Sequence, residues 1–184
     1  MPQVAQRDTG STMNAVNIRT RRHITMAMAL CSLGFGVPVV AQAAVTVACT
    51  VSVTGVAFGT YNPLAATQTT STGTLRIACT GAGTGTTTVT PTVTFSTGFS
   101  GTYTTRKMFS GVNALNYNLY WSTAYTQVMG DGTGGSFGGS TTAPLTIIPG
   151  QTSVANGTMY GMMPALQDVA PGLYADTVIV TVSY

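Results

Sequence analysis

Residues 173–184 read LYADTVIVTVSY and carry the clearest strand pattern in the sequence. Successive side chains of an extended strand point to opposite faces, so alternate residues form an apolar row here. That row consists of Val178, Val180, Val182 and Tyr184. The sequence stops at Tyr184, and we therefore expect this strand to pair either with an earlier strand, as an ordinary core strand does, or with a partner chain.

The same period-two pattern marks the segments upstream, between turns rich in Gly and Pro. Residues 45–53 place Cys49 on an apolar face, and residues 75–79 do the same for Cys79. Both cysteines are thus predicted to point inward from neighbouring strands. Further strands are predicted at residues 86–95, 115–121, 145–148 and 157–163. Pro91 lies inside the first of these and indicates an edge strand or a bulge.

The composition favours strands over helices. Thr makes up about a fifth of the chain, Gly contributes 22 residues, Glu is absent, and only 6% of residues are charged, against about 25% in an average protein. Thr favours strands and Gly breaks helices, which argues against a helical bundle or a coiled coil. About seven short strands without a helical period predict an all-β antiparallel sandwich of one domain, residues 44–184.

The net charge of +3 is concentrated near the N-terminus. Four arginines lie in the first 22 residues, whereas the three basic residues beyond residue 43 are balanced by three aspartates. Nucleic-acid binding needs a basic stripe on the surface. The neutral remainder offers none, and we expect no nucleic-acid partner.

Residues 19–43 have the three parts of a secretory signal peptide. A basic start is followed by the apolar residues 24–40 and then by small residues, which place the cleavage between Ala43 and Ala44. Residues 1–43 would be removed as leader and extension, and the mature chain would keep no stable membrane anchor. The alternatives left open are a transmembrane anchor, a twin-arginine signal, a lipoprotein signal at Cys31, and a start at Met13.

Export leaves Cys49 and Cys79 as an even pair in an oxidising compartment. A disulfide between them would close a loop of about 30 residues and contribute roughly 3–4 kcal/mol. Free thiols or metal ligands are the alternatives. Because the mature chain has no His, two cysteines alone make a poor zinc site, and we predict the disulfide.

The mature chain lacks the residues of common catalytic sites. His23 belongs to the leader and Glu is absent, so a Ser–His nucleophile has no base. The acidic side chains are those of Asp131, Asp168 and Asp176, and no feature of the sequence brings two of them together. We expect no enzyme, no metal site and no cofactor, and we interpret residues 131–133 as a turn.

Several other features have two interpretations. The Gly-rich residues 130–139 lack the lysine of a phosphate loop and predict a flexible loop. Aromatic residues in and after the 115–121 strand indicate either core packing or sugar stacking; they are Tyr117, Tyr120, Trp121 and Tyr125. Arg106 and Lys107 are predicted to cap a strand end in solvent, and residues 162–163 (both Met) to lie in the core.

Short motifs in a fixed order resemble the spore coat protein U domain family. They are Cys49-Thr50-Val51-Ser52, residues 55–63 (GVAFGTYNP), 73–80 (GTLRIACT), 106–108 (RKM), 115–120 (LNYNLY), 130–133 (GDGT), Gly161, 164–167 (PALQ), 171–178 (PGLYADTV) and the final Tyr184. The resemblance covers nearly all of residues 49–184. Its specificity lies in the order of the motifs and in the aromatic end of the last strand.

This family is similar to the pilins of archaic chaperone–usher systems. The resemblance implies an immunoglobulin-like sandwich that lacks its final strand, which a periplasmic chaperone would lend during export and another subunit would replace in a fibre. Its implied partners are that chaperone, an outer-membrane usher and other pilin-like subunits. The implied location is the periplasm in transit and then the cell surface, a fimbrium or the extracellular space, where such a subunit would serve adhesion or a spore or surface coat.

The resemblance makes the terminal row, Val178, Val180, Val182 and Tyr184, the wall of an acceptor groove. We expect these side chains to be partly wet in the single chain. At about 1.5–3 kcal/mol per large side chain, their full exposure would cost on the order of 6–12 kcal/mol. That cost is comparable with the whole stability of a domain, about 5–15 kcal/mol.

The N-terminus departs from the family pattern. Cleavage after Ala43 leaves only residues 44–48 before Cys49, and at ~3.3 Å per residue they span about 17 Å. A donated strand needs roughly twice that length, so the chain is predicted to accept a strand but to donate poorly. The alternative function is a freestanding secreted module, such as a lectin, whose sandwich closes on itself.

Overall fold

A computed structural model describes residues 44–141 and 143–184. The predicted leader, residues 1–43, lies outside the described residues. Of the two residues at the predicted cleavage site, Ala44 is therefore described and Ala43 is not. Nothing helical in the two described ranges is long and apolar enough to cross a bilayer.

The described residues form ten β-strands and one short 3₁₀ helix. In chain order they are β1 Thr46–Thr54, β2 Thr69–Ala82, β3 Thr87–Val89, β4 Thr92–Phe95, the 3₁₀ helix Gly98–Ser100, β5 Arg106–Ser110, β6 Asn113–Tyr120, β7 Ser140–Thr141, β8 Leu145–Ile147, β9 Thr152–Met163 and β10 Val180–Ser183. A five-stranded sheet has the order β1-β2-β9-β6-β5, a three-stranded sheet the order β10-β4-β7, and β3 pairs with β8. All these strand pairs are antiparallel.

The strand order is that of an immunoglobulin-like sandwich. In that fold strands A, B, E and D form one sheet and strands C, F and G form the other. Here β1-β2-β9-β6 corresponds to A-B-E-D, and β4 and β10 correspond to C and F. The predicted all-β, immunoglobulin-like antiparallel sandwich is confirmed.

The core lies between the two larger sheets, because each strand turns its alternate apolar residues inward. The five-stranded sheet contributes Leu75, Ile77, Met108, Leu115, Tyr117, Leu119, Met159 and Met163, and the three-stranded sheet contributes Val93, Phe95, Val180 and Val182. All twelve are buried. Of the predicted core pair at residues 162–163, Met163 is buried and its neighbour is half-buried.

The predicted disulfide between Cys49 and Cys79 is confirmed, with an S–S length of 2.05 Å. The two cysteines are direct partners in the register of β1 and β2. The Cα atoms are 4.0 Å apart, close to the spacing of residue pairs that exchange no backbone hydrogen bond.

Three segments differ from the predicted strands. Pro91 has no N–H to donate, and it separates β3 from β4, which lie in different sheets. The predicted 173–184 strand is regular only from Val180 onward, because side-chain hydrogen bonds hold the residues around Asp176. Strand β9 begins at Thr152, five residues before the predicted start.

Candidate functional site

Strand β10 lies at an edge of its sheet. It pairs with β4 through Val180↔Phe95 and Val182↔Val93. Within residues 44–141 and 143–184, no strand pairs with its other side. In the immunoglobulin order C-F-G, that open side is the place of strand G.

The backbone of β10 offers hydrogen-bonding groups to the open side. Ser96 N–H donates to the Ile179 carbonyl at 2.9 Å, so Ile179 is bonded to the β4 strand. Bonding direction alternates along an antiparallel strand, and Val180 and Val182 therefore turn their N–H and C=O groups away from β4. Their side chains meanwhile point into the core.

Strand β1 presents a matching edge on the five-stranded sheet. It pairs with β2 along its whole length, and β1 ends that sheet in the described part of the chain. Because Cys49 and Cys79 form a pair without backbone hydrogen bonds, the N–H of Cys49 points away from β2. By the same alternation, Val47, Val51 and Val53 also turn their backbone groups outward.

The side chain of Tyr184 spans the space between these two edges. Cys49 N–H donates to the Tyr184 hydroxyl at 3.3 Å. The backbones of β1 and of the end of β10 are therefore separated by a tyrosine side chain and one hydrogen bond. This is farther than the spacing of directly paired strands, which is only about 4.8 Å. We call the space between β1 and β10 the acceptor gap.

The exposure of the predicted acceptor residues differs from the expectation. Val178, Val180 and Val182 are 6%, 2% and 2% exposed, so the prediction that they are partly wet is wrong for all three. Tyr184 is half-buried. The half-buried apolar side chains lie on β1 instead, and they are Val47, Cys49, Val51 and Val53. The two sheets close over the valines of β10, so the gap exposes the β10 backbone and the β1 side chains.

A buried carboxylate fixes the chain just before β10. Asp176 is 1% exposed and accepts hydrogen bonds from the Tyr117 hydroxyl at 2.7 Å and from the N–H of Phe99 at 2.9 Å. Burial, followed by the nearby Asp176 carboxylate, raises the pKa of Tyr117. Gly98 has φ +69°, and a Cβ there would collide with this carboxylate. The chain just before β10 is thus held from two elements, β6 and the 3₁₀ helix.

Arg106 reinforces this anchor from inside the core. Its guanidinium donates to the carbonyls of Ser96 at 2.8 Å and Met129 at 2.7 Å, and to the amide oxygen of Asn118 at 2.7 Å. Arg106 is fully buried, and burial lowers its pKa. The prediction that Arg106 caps a strand end in solvent is therefore wrong, because three polar acceptors inside the sandwich bind the cation.

The three aspartates do not form a catalytic pair. Asp131 is exposed in the loop after β6, and hydrogen bonds from Thr133 lower its pKa. Asp168 is also exposed, whereas Asp176 is buried. In the described ranges, no three His, Cys, Asp or Glu side chains come close enough to hold a metal ion.

The aromatic candidates for sugar stacking are divided between the core and the surface. Tyr117 is buried, and Trp121 is half-buried with its ring edge-to-face with Phe95 at 5.6 Å. Tyr120 and Tyr125 form a separate pair at 5.4 Å. The four rings therefore do not form one stacking platform.

Sequence reasoning missed the polar cluster of Arg106, Asn118 and Asp176, and it missed β1 as the second wall of the gap. The cluster left a weak signal, since Arg106 and Asn118 both lie on strands with apolar neighbours. The β1 edge left a clearer signal, because residues 45–53 alternate as strictly as the terminal strand does.

The comparisons with known proteins give a matching family and several similar solved chains. The sequence model of the Spore Coat Protein U domain matches residues 37–181. A similar solved chain occurs in the complex of the chaperone CsuC with the tip adhesion subunit CsuE, a pre-assembly complex from archaic chaperone-usher Csu pili of Acinetobacter baumannii. The TM-score is 0.37 at 16% identity, and the alignment covers 76% of the present chain and 40% of that chain. No curated protein sequence matches significantly.

Proposed function

The chain belongs to the Spore Coat Protein U domain family, and on that premise we propose that it is a structural subunit of an exported adhesive fibre or surface coat. A periplasmic chaperone would hold it by donating a β-strand, an outer-membrane usher would export it, and a strand from another pilin-like subunit would replace the chaperone. The role is structural rather than enzymatic and requires no cofactor.

The acceptor gap carries this proposal. Val180 and Val182 on one wall and Val51 and Val53 on the other direct their backbone groups into the same space. An extended segment can bond to both walls at once, which is the geometry of strand addition at a sheet edge. An edge left open also invites aggregation, which explains why a subunit of this kind would travel with a chaperone.

We further propose that the chain accepts a strand and donates poorly. Thr46, Val47 and Ala48 are paired with β2 and so belong to the chain's own sandwich. With cleavage after Ala43, only two residues precede β1, and at ~3.3 Å each they span about 7 Å. The subunit would then end a fibre or act outside one. A mature N-terminus found well upstream of Ala44 by mass spectrometry would remove the basis for this part.

The first test is expression of the mature chain in a periplasm with and without its periplasmic chaperone. We expect soluble complex with the chaperone, and aggregation or proteolysis without it. A stable soluble monomer in both cases would contradict the proposal and favour the freestanding binding module.

The second test separates the β10 backbone from its side chains. Val182→Pro removes the N–H that faces the gap, while Val182→Ala keeps that N–H and loses more of the side chain. We expect Val182→Pro to reduce chaperone capture at least tenfold relative to Val182→Ala, measured by co-purification at equal expression. Equal capture of the two variants would show that the β10 edge is not the docking site.

A further inference from the structure

Besides the acceptor gap, the described residues leave a second stretch of unpaired strand edge. It lies on β9, on the side that faces away from β2 and from the acceptor gap. Along one side, β9 pairs with β2 over its full length, from Thr152 to Met163. Along the other side it pairs with β6 only from Tyr160 to Met162. In the part of the chain that the structure describes, no strand pairs with residues 152–158 on that side, although β8 approaches at Ser153, whose hydroxyl donates to the Thr146 carbonyl.

The backbone direction on this edge follows from the disulfide register. Since Cys49 and Cys79 do not bond to each other through their backbones, Cys79 bonds to its β9 partner, Ser153. Bonding direction then alternates along β9. Val154, Asn156 and Thr158 consequently turn their N–H and C=O groups away from β2 and toward the unpaired side.

A crevice of about 380 Å³ lies beside this edge. Its apolar lining includes Leu75, Val93, Trp121 and Leu145, and β9 adds the methyl group of Ala155 and the bare backbone of Gly157. No lining residue is charged. The site thus combines an apolar floor with a row of outward backbone donors and acceptors along one wall.

We propose that this crevice is a second docking site, which binds an extended segment of a partner polypeptide with apolar side chains at alternate positions. The outward groups of three alternate residues match the repeat of a β-strand, whereas a helix has already used its own backbone groups. Five residues of edge accommodate about 17 Å of strand. A charged side chain on the inward face would be desolvated without a counter-ion, so the bound segment is uncharged there.

This inference stands apart from the proposed function, because it concerns β9 and not β10. The two sites differ in which amide groups a bound strand protects. In the acceptor gap these are the amides of Val180 and Val182, and in the crevice they are those of Val154, Asn156 and Thr158.

The test uses the capped peptide KTVTVTVTK and the mature chain in its chaperone complex, or alone if it is soluble alone. We expect the peptide to slow hydrogen exchange of the Val154, Asn156 and Thr158 amides at least tenfold. We also expect Asn156→Pro to weaken peptide binding at least tenfold, because it deletes one outward N–H without touching the β2 pairing. Asn156→Ala keeps that N–H and should bind within about twofold of the unsubstituted chain.

A second variant tests the crevice independently, in case Asn156→Pro does not fold. Leu145→Asp places a carboxylate on the apolar floor and should also weaken binding at least tenfold, with chaperone capture unchanged. Peptide affinity that survives Leu145→Asp, or protection confined to Val180 and Val182, would overturn the proposal.

Discussion

Arg106 joins four parts of the chain through one guanidinium group. Its hydrogen bonds reach the backbone after β4, the backbone before the Gly-rich loop, and Asn118 on β6. The cation also lies over the Tyr103 ring, 5.2 Å from its centroid. Hydrogen bonds to a charged group contribute about 1.5–3 kcal/mol each, against about 0.5–1.5 kcal/mol for neutral ones.

Replacement of Arg106 should therefore destabilise the chain strongly. Arg106→Met fills much of the volume but leaves the buried carbonyls of Ser96 and Met129 without their guanidinium donor, while Asn118 Oδ1 keeps the N–H of Leu119. We expect a loss of at least about 3 kcal/mol. Urea unfolding at neutral pH measures the effect. Lys107→Met is the matched control on the next residue and should change the unfolding free energy by less than about 0.5 kcal/mol. Equal effects of the two substitutions would contradict the anchoring role.

Individual residues were predictable only where the strand pattern fixed them. Val180 and Val182 point inward because they alternate with polar residues, and the structure agrees. Arg106 could not be placed from its own neighbourhood, since its acceptors come from segments 10 to 23 residues away. A buried cation is stable only when distant groups satisfy it, and local sequence does not contain that information.

At the scale of elements, one covalent link reinforces the pairing of β1 with β2. Strand β1 is an edge strand whose apolar side chains are half-buried. The disulfide holds it at Cys49↔Cys79, with a sequence separation of 30 residues. The disulfide thus links β1, which is one wall of the acceptor gap, covalently to β2.

Removal of this disulfide should weaken both the fold and the gap. We expect the Cys49→Ala, Cys79→Ala double variant to lose about 3–4 kcal/mol of unfolding free energy, from the loop entropy of the unfolded chain. Denaturant titration of the variant and of the oxidised chain measures this difference. A matching loss on reduction of the unsubstituted chain is the control, and an unfolding midpoint that does not move would refute the expectation.

The elements divide into those that a pattern identifies and those that tertiary contacts create. Strands β1, β6 and β10 were predictable because their apolar and polar residues alternate. Strand β9 was predicted only in its second half, since residues 152–156 carry few large apolar side chains and owe their extended form to β2. The stretch before β10 was predicted as strand, but Asp176 bonds to Tyr117 and to nearby backbone N–H groups, which interrupts regular pairing.

At the scale of the whole molecule, a buried tyrosine links the folding stability to alkaline pH. Tyr117 is 1% exposed, and its pKa is raised by burial and by Asp176. In the unfolded chain the same group ionises near its usual pKa of about 10. Above that pH, the unfolded state loses its proton while the folded state retains it, so folding stability falls.

We therefore expect the ionisation of Tyr117 to leave the free energy of unfolding unchanged up to about pH 10. Above that pH, it should lower the free energy of unfolding by up to about 1.4 kcal/mol per pH unit. Tyr117→Phe should be less stable at neutral pH, because it gives up the bond to Asp176, but its stability should fall less steeply above pH 10. Urea unfolding at a series of pH values from 8 to 11 measures both slopes. Parallel curves for the two proteins would contradict this assignment.

The architecture as a whole was predictable to the level of an immunoglobulin-like sandwich and one disulfide. The composition disfavoured helices, and the period-two segments predicted about seven strands, whereas the described residues form ten. The immunoglobulin-like order was expected from the family resemblance and not from the strand pattern. The location of the exposed apolar surface was not predictable, because it depends on how closely the two sheets approach at their edges. That approach buries the valines of β10 and leaves those of β1 half-exposed.

The bond between Tyr184 and Cys49 gives the acceptor gap a polarity. The aromatic ring of Tyr184 lies across one end of the gap, beyond Val182. An added strand would therefore have to displace this one hydrogen bond before it could pair with β10 along its whole length.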